Sequence, residues 1–184
     1  MLGNLAPNLQ ELVIQRLNKR PKLIVMDTMN FWMDIAMEQL KKTISLVDVL
    51  TINDEEARQL SGEYSLINAS KKIQAMGPKY LIIKKGEHGA LLFHGTEMFF
   101  APALPLELVK DPTGAGDTFA GGFIGYLAKT RDLSFENMKR AVITGSALAS
   151  FCVEEMGTEK MFNISKEAIE NRLQQFSKLT NFSF

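Results

Sequence analysis

The sequence predicts an α/β protein in which helices cover both faces of a mainly parallel sheet, a three-layer α/β/α arrangement. Short apolar runs that suit buried strands alternate with runs whose apolar residues recur at helical spacing. The chain has 184 residues, 46% of them hydrophobic, which is enough for one domain with a sizeable core. No repeat or linker-like stretch divides the sequence, so we expect residues 1–184 to form a single domain.

Helices and strands alternate in the first half of the chain. Pro7 opens a helix whose apolar residues recur at helical spacing as far as Leu17, and Pro21 ends it. Further helices are predicted over 31–44, 53–62 and 65–77, the last two ended by Gly62 and Gly77. The predicted strands are 23–27, 47–52 and 80–85.

The second half carries a turn, a hairpin and three helices. Gly86 to Gly89 form a turn into a strand over 90–95, with 97–103 as its partner. A strand-like ELVK at 107–110 leads through DPTGAGDT into a helix with the sequence FAGGFIGYLA, and the last two helices are capped by Ser134 and Ser165. Ligands of such sheets gather at the carboxyl ends of the strands, here after Asp27, Ile52, Lys84 and Lys110.

Charge and composition exclude several classes of function. Lys and Arg (21) balance Asp and Glu (21), so no basic field favours nucleic acid or an anionic membrane. Cys152, the single cysteine, sits in SALASFCV and is expected to be a small apolar core residue rather than a catalytic thiol. No apolar run reaches a membrane span and the N-terminus lacks a signal peptide pattern, so we expect a cytoplasmic protein.

The stretch DPTGAGDT at 111–118 demands a particular backbone. A Gly-Ala-Gly turn that enters a helix leaves unpaired N–H groups facing outward, and such groups bind anions. The alternative is a plain glycine turn with Asp117 as a helix cap. Gly121, Gly122 and Gly125 then serve close packing of the helix against the sheet, a ligand or another helix.

The longer stretch DPTGAGDTFAGGF closely resembles the C-terminal signature of the ribokinase-like carbohydrate kinases, the PfkB family, whose fold is Rossmann-like. NDEE at 53–56 is similar to the Asn-x-x-Glu motif of that family, and IIKKGEHGA is similar to its nucleotide-contacting strand and turn. Among its members, the chain most resembles bacterial sugar kinases of unassigned substrate. The resemblance implies ATP-dependent phosphoryl transfer to an alcohol group of a sugar or nucleoside.

The resemblance also implies roles for single residues. Asp117 is expected to be the catalytic base, and the N–H groups of Gly114, Ala115 and Gly116 to receive the transferring phosphoryl group. A carboxylate at a helix N-terminus is a weak base. That weakness is tolerable because phosphoryl transfer has a loose transition state that depends mainly on positioning and charge.

Asn53 and Glu56 are open to two interpretations. Their spacing is that of an N-cap and its N3 partner, while the resemblance implies that Glu56 orients Mg²⁺ through water and that Asn53 lies near the nucleotide phosphates. Lys84 is implied as a phosphate contact. The turn residues Gly86, Glu87, His88 and Gly89 are implied to lie along the nucleotide, with His88 as a turn residue rather than an acid.

Three further assignments follow from the resemblance. Ser146 lies in a small-residue stripe that favours tight helix packing, although the matching helix of relatives lines the adenine pocket. Asp111 and Thr113 match positions that hold a monovalent cation in some relatives, which leaves the use of K⁺ open here. Asp27 and Asn30 are similar to a region near the phosphates or the sugar.

The sequence lacks the first family signature, the glycine pair and acidic residue that grip the sugar, and the β lid. We therefore expect the nucleotide-binding and base-bearing portion of such a kinase, or alternatively a non-catalytic nucleotide-binding piece or half of a split enzyme. A dinucleotide-binding oxidoreductase is disfavoured because the first strand is not followed by G-x-G-x-x-G. The expected exposed apolar surface favours self-association or poor solubility and leaves a homo-oligomer open.

Overall fold

A computed structural model describes residues 1–179 and 181, and these form two compact units. The first unit comprises residues 1–85 and 91–99, and the second comprises residues 86–90 together with residues from 100 onward. The single domain stays a prediction.

The first unit is built on a mainly parallel sheet. Its strands are β1 (Val25–Asp27), β2 (Val49–Asn53) and β3 (Tyr80–Lys84), and β4 (Ala90–His94) and β5 (Glu97–Ala101) complete the order β1-β2-β3-β4-β5. β1, β2 and β3 pair in parallel, whereas the two-residue connection between β4 and β5 makes them a hairpin, so the sheet is mixed. Its helices are α1 (Pro7–Gln15), α2 (Asn30–Ile35), α3 (Met37–Ile44), α4 (Asp54–Ser61) and α5 (Leu66–Gln74).

The core of the first unit lies between the sheet and these helices. Alternate strand residues such as Met26, Leu50 and Leu81 pack with Leu40 and Ile44 of α3. The residues between them along β2 and β3 are also buried, which is the pattern of parallel strands. At the carboxyl ends of the three parallel strands this apolar pattern stops at a polar or charged residue.

Two predicted helices differ from the structure in an informative way. The predicted helix over 31–44 is interrupted at Ala36, whose φ of −146° and ψ of 36° are not helical, so α2 and α3 are separate. In α1 the apolar residues at helical spacing face outward: Leu9, Leu12 and Val13 are exposed.

The buried face of α1 is polar because its polar side chains find partners. Gln10 is fully buried and donates to the carbonyls of Gly3 and Leu5 at 2.8 Å each. Glu11 pairs with Lys42 at 2.8 Å. Spacing alone therefore predicted the helix and not the face that it buries.

The second unit is helical. It contains α6 (Ala115–Thr130), α7 (Phe135–Cys152) and α8 (Lys166–Leu179), with 3-10 turns at Gly86–His88 and Glu159–Asn163. The predicted caps are confirmed, because the Ser134 and Ser165 hydroxyls accept the N–H groups of Asn137 and Ala168. Helix α6 ends on Arg131, which has a φ of +56° and is the only non-glycine residue with positive φ in the described part of the chain.

Helices α6 and α7 cross at a pair of glycines. A Cβ at Gly122 would stand 3.1 Å from the Gly145 Cα, and a Cβ at Gly145 would stand 2.7 Å from the Phe119 carbonyl oxygen. Gly122 thus serves close helix packing, one of the predicted alternatives. At Gly121 and Gly125 a Cβ would meet no described atom within 4 Å.

The predicted strand at 107–110 is wrong. Residues 102–114, all of them described, form no strand. Pro102 and Pro105 remove two backbone donors from the approach, and Lys110 and Asp111 both turn their N–H groups to one acceptor, the Val153 carbonyl. Among the described residues, no helix has both the length and the apolar character needed to cross a bilayer.

Candidate active site

Four side chains meet at the carboxyl ends of the strands in the first unit, and we call Asp27, Asn53, Glu56 and Lys84 the strand-edge cluster. Asp27 ends β1, Asn53 ends β2 and Lys84 ends β3, while Glu56 lies on the first turn of α4. The parallel register pairs Asn53 with Lys84 and brings these residues to the same edge. The first three junctions predicted from the sequence are therefore neighbours.

Asn53 and Glu56 form a capping box. The Asn53 side-chain oxygen accepts the Glu56 N–H at 2.7 Å, and a Glu56 carboxylate oxygen accepts the Asn53 N–H at 2.8 Å. Glu56 is only 5% exposed, and this burial raises its pKa, an effect that the hydrogen bond from Asn53 and the nearby Lys84 charge oppose. The helix-cap interpretation of this motif is thus confirmed, and one carboxylate oxygen remains without a protein donor among the described residues.

Lys84 is held by Asp27. The Lys84 Nζ lies 2.8 Å from an Asp27 carboxylate oxygen, and the two side chains are 20% and 15% exposed. The other Asp27 oxygen accepts the Thr28 N–H at 3.0 Å. Sequence reasoning had given Lys84 a role and Asp27 only a general location, because a contact across 57 residues leaves no local signal.

The turn at 111–117 in the second unit, here called the glycine turn, has a backbone that only glycine accepts easily. Gly114 has a φ of +82° and is the N-cap of α6, and its carbonyl accepts the Thr118 N–H at 2.9 Å. The Ala115 N–H donates to the Pro112 carbonyl at 3.1 Å. It is therefore not free to bind an anion, contrary to the expectation from the resemblance. In the described chain, nothing accepts from the N–H groups of Gly114, Gly116 and Asp117.

Asp111 stabilises the glycine turn through two hydrogen bonds from backbone N–H groups. Its carboxylate oxygens accept the N–H groups of Thr113 at 2.9 Å and Gly157 at 3.1 Å. The pKa of Asp111 is lowered, mainly by the Thr113 backbone and hydroxyl and then by the Gly157 backbone. The fully buried Cys152 points its sulfur at the Gly157 carbonyl at 3.1 Å, which confirms a packing position.

The remaining predicted residues of the second unit range from exposed to buried. In the turn at 86–89, Glu87 and His88 are exposed side chains 3.8 Å apart, while Gly89 is required, because a Cβ there would lie 2.1 Å from the Ala101 carbonyl oxygen. Asp117 is exposed on the first turn of α6, and Ser146 is half-buried on α7.

The described residues contain no group of three or more Asp, Glu, His or Cys side chains that could hold a metal ion. A closed protein cage is therefore not present in that part of the chain. Mg²⁺ in phosphoryl-transfer sites usually keeps several waters and binds one or two carboxylates together with substrate phosphates. The strand-edge cluster, with one buried carboxylate beside a lysine, fits that kind of ion.

Comparison with known proteins identifies the class and then the family. The crystal structure of the ribokinase of Thermotoga maritima matches 94% of this chain with a TM-score of 0.74 and 26% identity, so the chain has the ribokinase-like α/β fold. The model of the pfkB family carbohydrate kinases matches residues 3–164. The chain belongs to this family.

Two further proteins extend the comparison. Over 96 residues, 51% of this chain, the sequence is 36% identical to a cytidine kinase of Thermococcus kodakarensis. An Escherichia coli protein provisionally called ribokinase II, crystallised in complex with ATP and Mg²⁺, matches 83% of the chain with a TM-score of 0.68 and 26% identity. The chain spans 34% of the cytidine kinase, 56% of the Thermotoga structure and 49% of the Escherichia structure.

Proposed function

We propose that the chain carries the nucleotide-binding and base-bearing part of an ATP-dependent kinase that phosphorylates an alcohol group of a sugar or nucleoside. The observation that carries this proposal is the glycine turn. N–H groups without protein acceptors and an exposed carboxylate stand together there at the start of a helix of 16 residues. Membership of the pfkB family and the activities named for the cytidine kinase and the ribokinase support it.

Asp117 is the proposed catalytic base, which accepts the proton of the attacking hydroxyl. The N–H groups of Gly114 and Gly116, together with that of Asp117 in place of Ala115, form the proposed anion hole. Because the transition state is loose, a fixed carboxylate beside aligned amide donors provides the positioning and the charge stabilisation that the transfer needs.

The family resemblance gives residues of each unit, taken separately, a role toward the nucleotide or its metal ion. In the first unit, Lys84 contacts a phosphate, Asn53 lies near the phosphates and Glu56 orients Mg²⁺ through water. Mg²⁺ supplies charge neutralisation on the phosphates when bound. In the second unit, Gly86 to Gly89 lie along the nucleotide and Ser146 contacts the base. The similar Escherichia protein was crystallised with ATP and Mg²⁺, which supports the choice of nucleotide and ion.

The proposal also includes a monovalent cation at Asp111 and Thr113. Each Asp111 oxygen already accepts one backbone N–H, and each keeps a lone pair for a weakly bound cation such as K⁺. A cytoplasmic location, a homo-oligomer and the lack of a nucleic acid partner stay predictions.

The test is Asp117→Asn in an active polypeptide that contains these residues. The rate of phosphoryl transfer should fall about 10²- to 10⁴-fold, the range for loss of a general base, while the Kd for magnesium-ATP in calorimetry stays within about twofold. Glu167→Gln, which removes an exposed carboxylate from the first turn of α8, is the matched control and should leave both values unchanged.

Undiminished turnover of Asp117→Asn would refute the base assignment. Binding of magnesium-ATP with no transfer in the native polypeptide, or transfer only after a second chain is added, would favour a nucleotide-binding piece or half of a split kinase. The intact mass of the native polypeptide, captured with an antibody against this chain, shows which molecule to assay.

A further inference from the structure

The Lys84 side chain reaches back across the middle strand of the first unit. The register sets Asp27 level with Thr51 on β2 and Thr51 level with Ile82 on β3, so Lys84 lies two residues beyond that level. β1 and β3 are separated by β2, a distance of about 10 Å for two strand spacings. The charged groups of Asp27 and Lys84 nevertheless meet at 2.8 Å.

This geometry is unusual for a lysine at the end of a strand. A lysine normally extends its ammonium into water on a flexible four-carbon stem. Here the side chain is only 20% exposed and lies over the end of β2, where Asn53 and Glu56 stand. The position of the ammonium is therefore set by its partner.

Asp27 is the fixed member of the pair. Its second carboxylate oxygen accepts the Thr28 N–H, which orients the carboxylate, and its side chain is 15% exposed. Glu56, the other acid of the cluster, is 5% exposed and is engaged with the Asn53 N–H. Opposing effects of Lys84 and Asp27 on the pKa of Glu56, both smaller than that of burial, show that all three charges are close.

We propose that Asp27 is a positioning residue, which holds the Lys84 ammonium over the end of β2 and so preorganises it for a phosphate of the nucleotide. The proposal rests on the proposed function, since it assumes that Lys84 contacts a phosphate. Preorganisation lowers the ordering cost that binding would otherwise carry. Loss of Asp27 should therefore weaken nucleotide binding more than it slows the transfer step.

The first measurement needs no nucleotide. Lysine acetylation of the folded chain is followed by mass spectrometry in the wild type, Asp27→Asn and Asp48→Asn, with the exposed Lys79 as internal reference. The acetylation rate at Lys84 should rise about fivefold in Asp27→Asn, in line with loss of one partly buried ion pair.

Asp48→Asn is a close control. Asp48 is also 15% exposed, pairs with Arg20 at 3.1 Å and accepts a backbone N–H, that of Ile24 at 2.8 Å. It precedes β2, whereas Asp27 ends β1, so it lies away from the carboxyl edge. The rate at Lys84 should not change in this variant, and circular dichroism checks that both variants are folded.

The second measurement is the Kd of magnesium-ATP, with KM and kcat in an active polypeptide. Asp27→Asn should raise Kd and KM about fivefold with kcat nearly unchanged, and Asp27→Glu should recover most of the loss. An unchanged acetylation rate at Lys84 would overturn the proposal, as would equal or tighter nucleotide binding by Asp27→Asn. Wild-type protein that binds no magnesium-ATP would instead count against the proposed function, and the acetylation result would still decide whether Asp27 holds Lys84.

Discussion

The strand-edge cluster and the glycine turn differ in whether their polar groups have partners within the protein. In the cluster the polar groups bind one another: Asn53 with Glu56 in a capping box, and Asp27 with Lys84 and the Thr28 N–H. In the glycine turn the described chain offers no acceptor to the N–H groups of Gly114, Gly116 and Asp117. The first region is made of side chains that bind one another, and the second contains backbone donors without an acceptor in the described chain.

This difference indicates which region should contribute more to the affinity for an anion. Unpaired N–H groups at a helix N-terminus bind an anion without first breaking a protein hydrogen bond. In the cluster the protein's own contacts already hold the side chains in place, so a ligand there would meet groups that need little further ordering. The glycine turn should therefore be sensitive to substitutions that restrict the backbone. The strand-edge cluster should be sensitive to substitutions that remove a side-chain partner.

The largest effect on stability is expected at the helix crossing that supports the glycine turn. Gly145→Ala would bring a Cβ to 2.7 Å from the Phe119 carbonyl oxygen and should lower the free energy of unfolding by about 2–3 kcal/mol. Gly125→Ala is the control in α6, where a Cβ meets no described atom within 4 Å, and it should raise stability by about 0.5–1 kcal/mol. Urea unfolding measures both, and equal effects would contradict the close crossing.

A smaller effect is expected from the backbone of the turn itself. Gly114→Ala places a Cβ at ordinary distances, 3.5 Å from Thr158 and 3.7 Å from Cys152, so its cost is the positive φ, about 1–2 kcal/mol. Gly114→Asn should lose less, because asparagine tolerates this conformation better. Equal stabilities of the wild type and Gly114→Ala in urea unfolding would show that the turn does not need glycine.

In the strand-edge cluster, loss of one side chain should lower stability by a comparable or smaller amount. Asn53→Ala removes the cap of α4 and should cost about 1 kcal/mol. Asn53→Asp keeps an acceptor for the Glu56 N–H and should retain most of the stability. Thermal unfolding of the two variants compares them, and similar losses would mean that the cap contributes little.

The smallest effects are those of pH, and the two regions should differ in sign. Burial raises the pKa of Glu56 above 4.5, so the folded state holds this proton more tightly and its contribution to stability is lost as pH rises through that value and beyond. Glu56→Gln keeps the capping box and should gain on the wild type as pH rises.

Asp111 should show the reverse dependence. Its pKa is lowered below 3.8, so its contribution is present above that pH and is lost as pH falls below it. Asp111→Asn should therefore come closest to the wild type at low pH. Urea unfolding between pH 3 and 8 tests both variants, and pH dependences of the same sign would contradict the assignment.

Local sequence patterns predicted the parts of the fold that local interactions determine. Gly62 ends α4 in a left-handed conformation, Ser134 caps α7, and the spacing of Asn53 and Glu56 predicted their capping box. These features depend on residues a few positions apart. The α/β class and the family followed from the strand pattern and from the motif at 111–123.

Features that depend on distant partners could not be predicted in this way. The polar buried face of α1 depends in part on the pair of Glu11 with Lys42 of α3, and the pair of Asp27 with Lys84 depends on strand order. The break at Ala36 and the missing strand at 107–110 are tertiary outcomes as well. The roles proposed for Asp117, Ser146 and the turn at 86–89 stay predictions.

Arg131 is a position at which the stability of this chain is not optimal. It ends α6 in the left-handed conformation that helix termini usually assign to glycine. Selection needs only enough stability for function and leaves such positions unimproved. Substitution of Arg131 by glycine should therefore increase the free energy of unfolding. That gain would let the protein tolerate a destabilising mutation elsewhere.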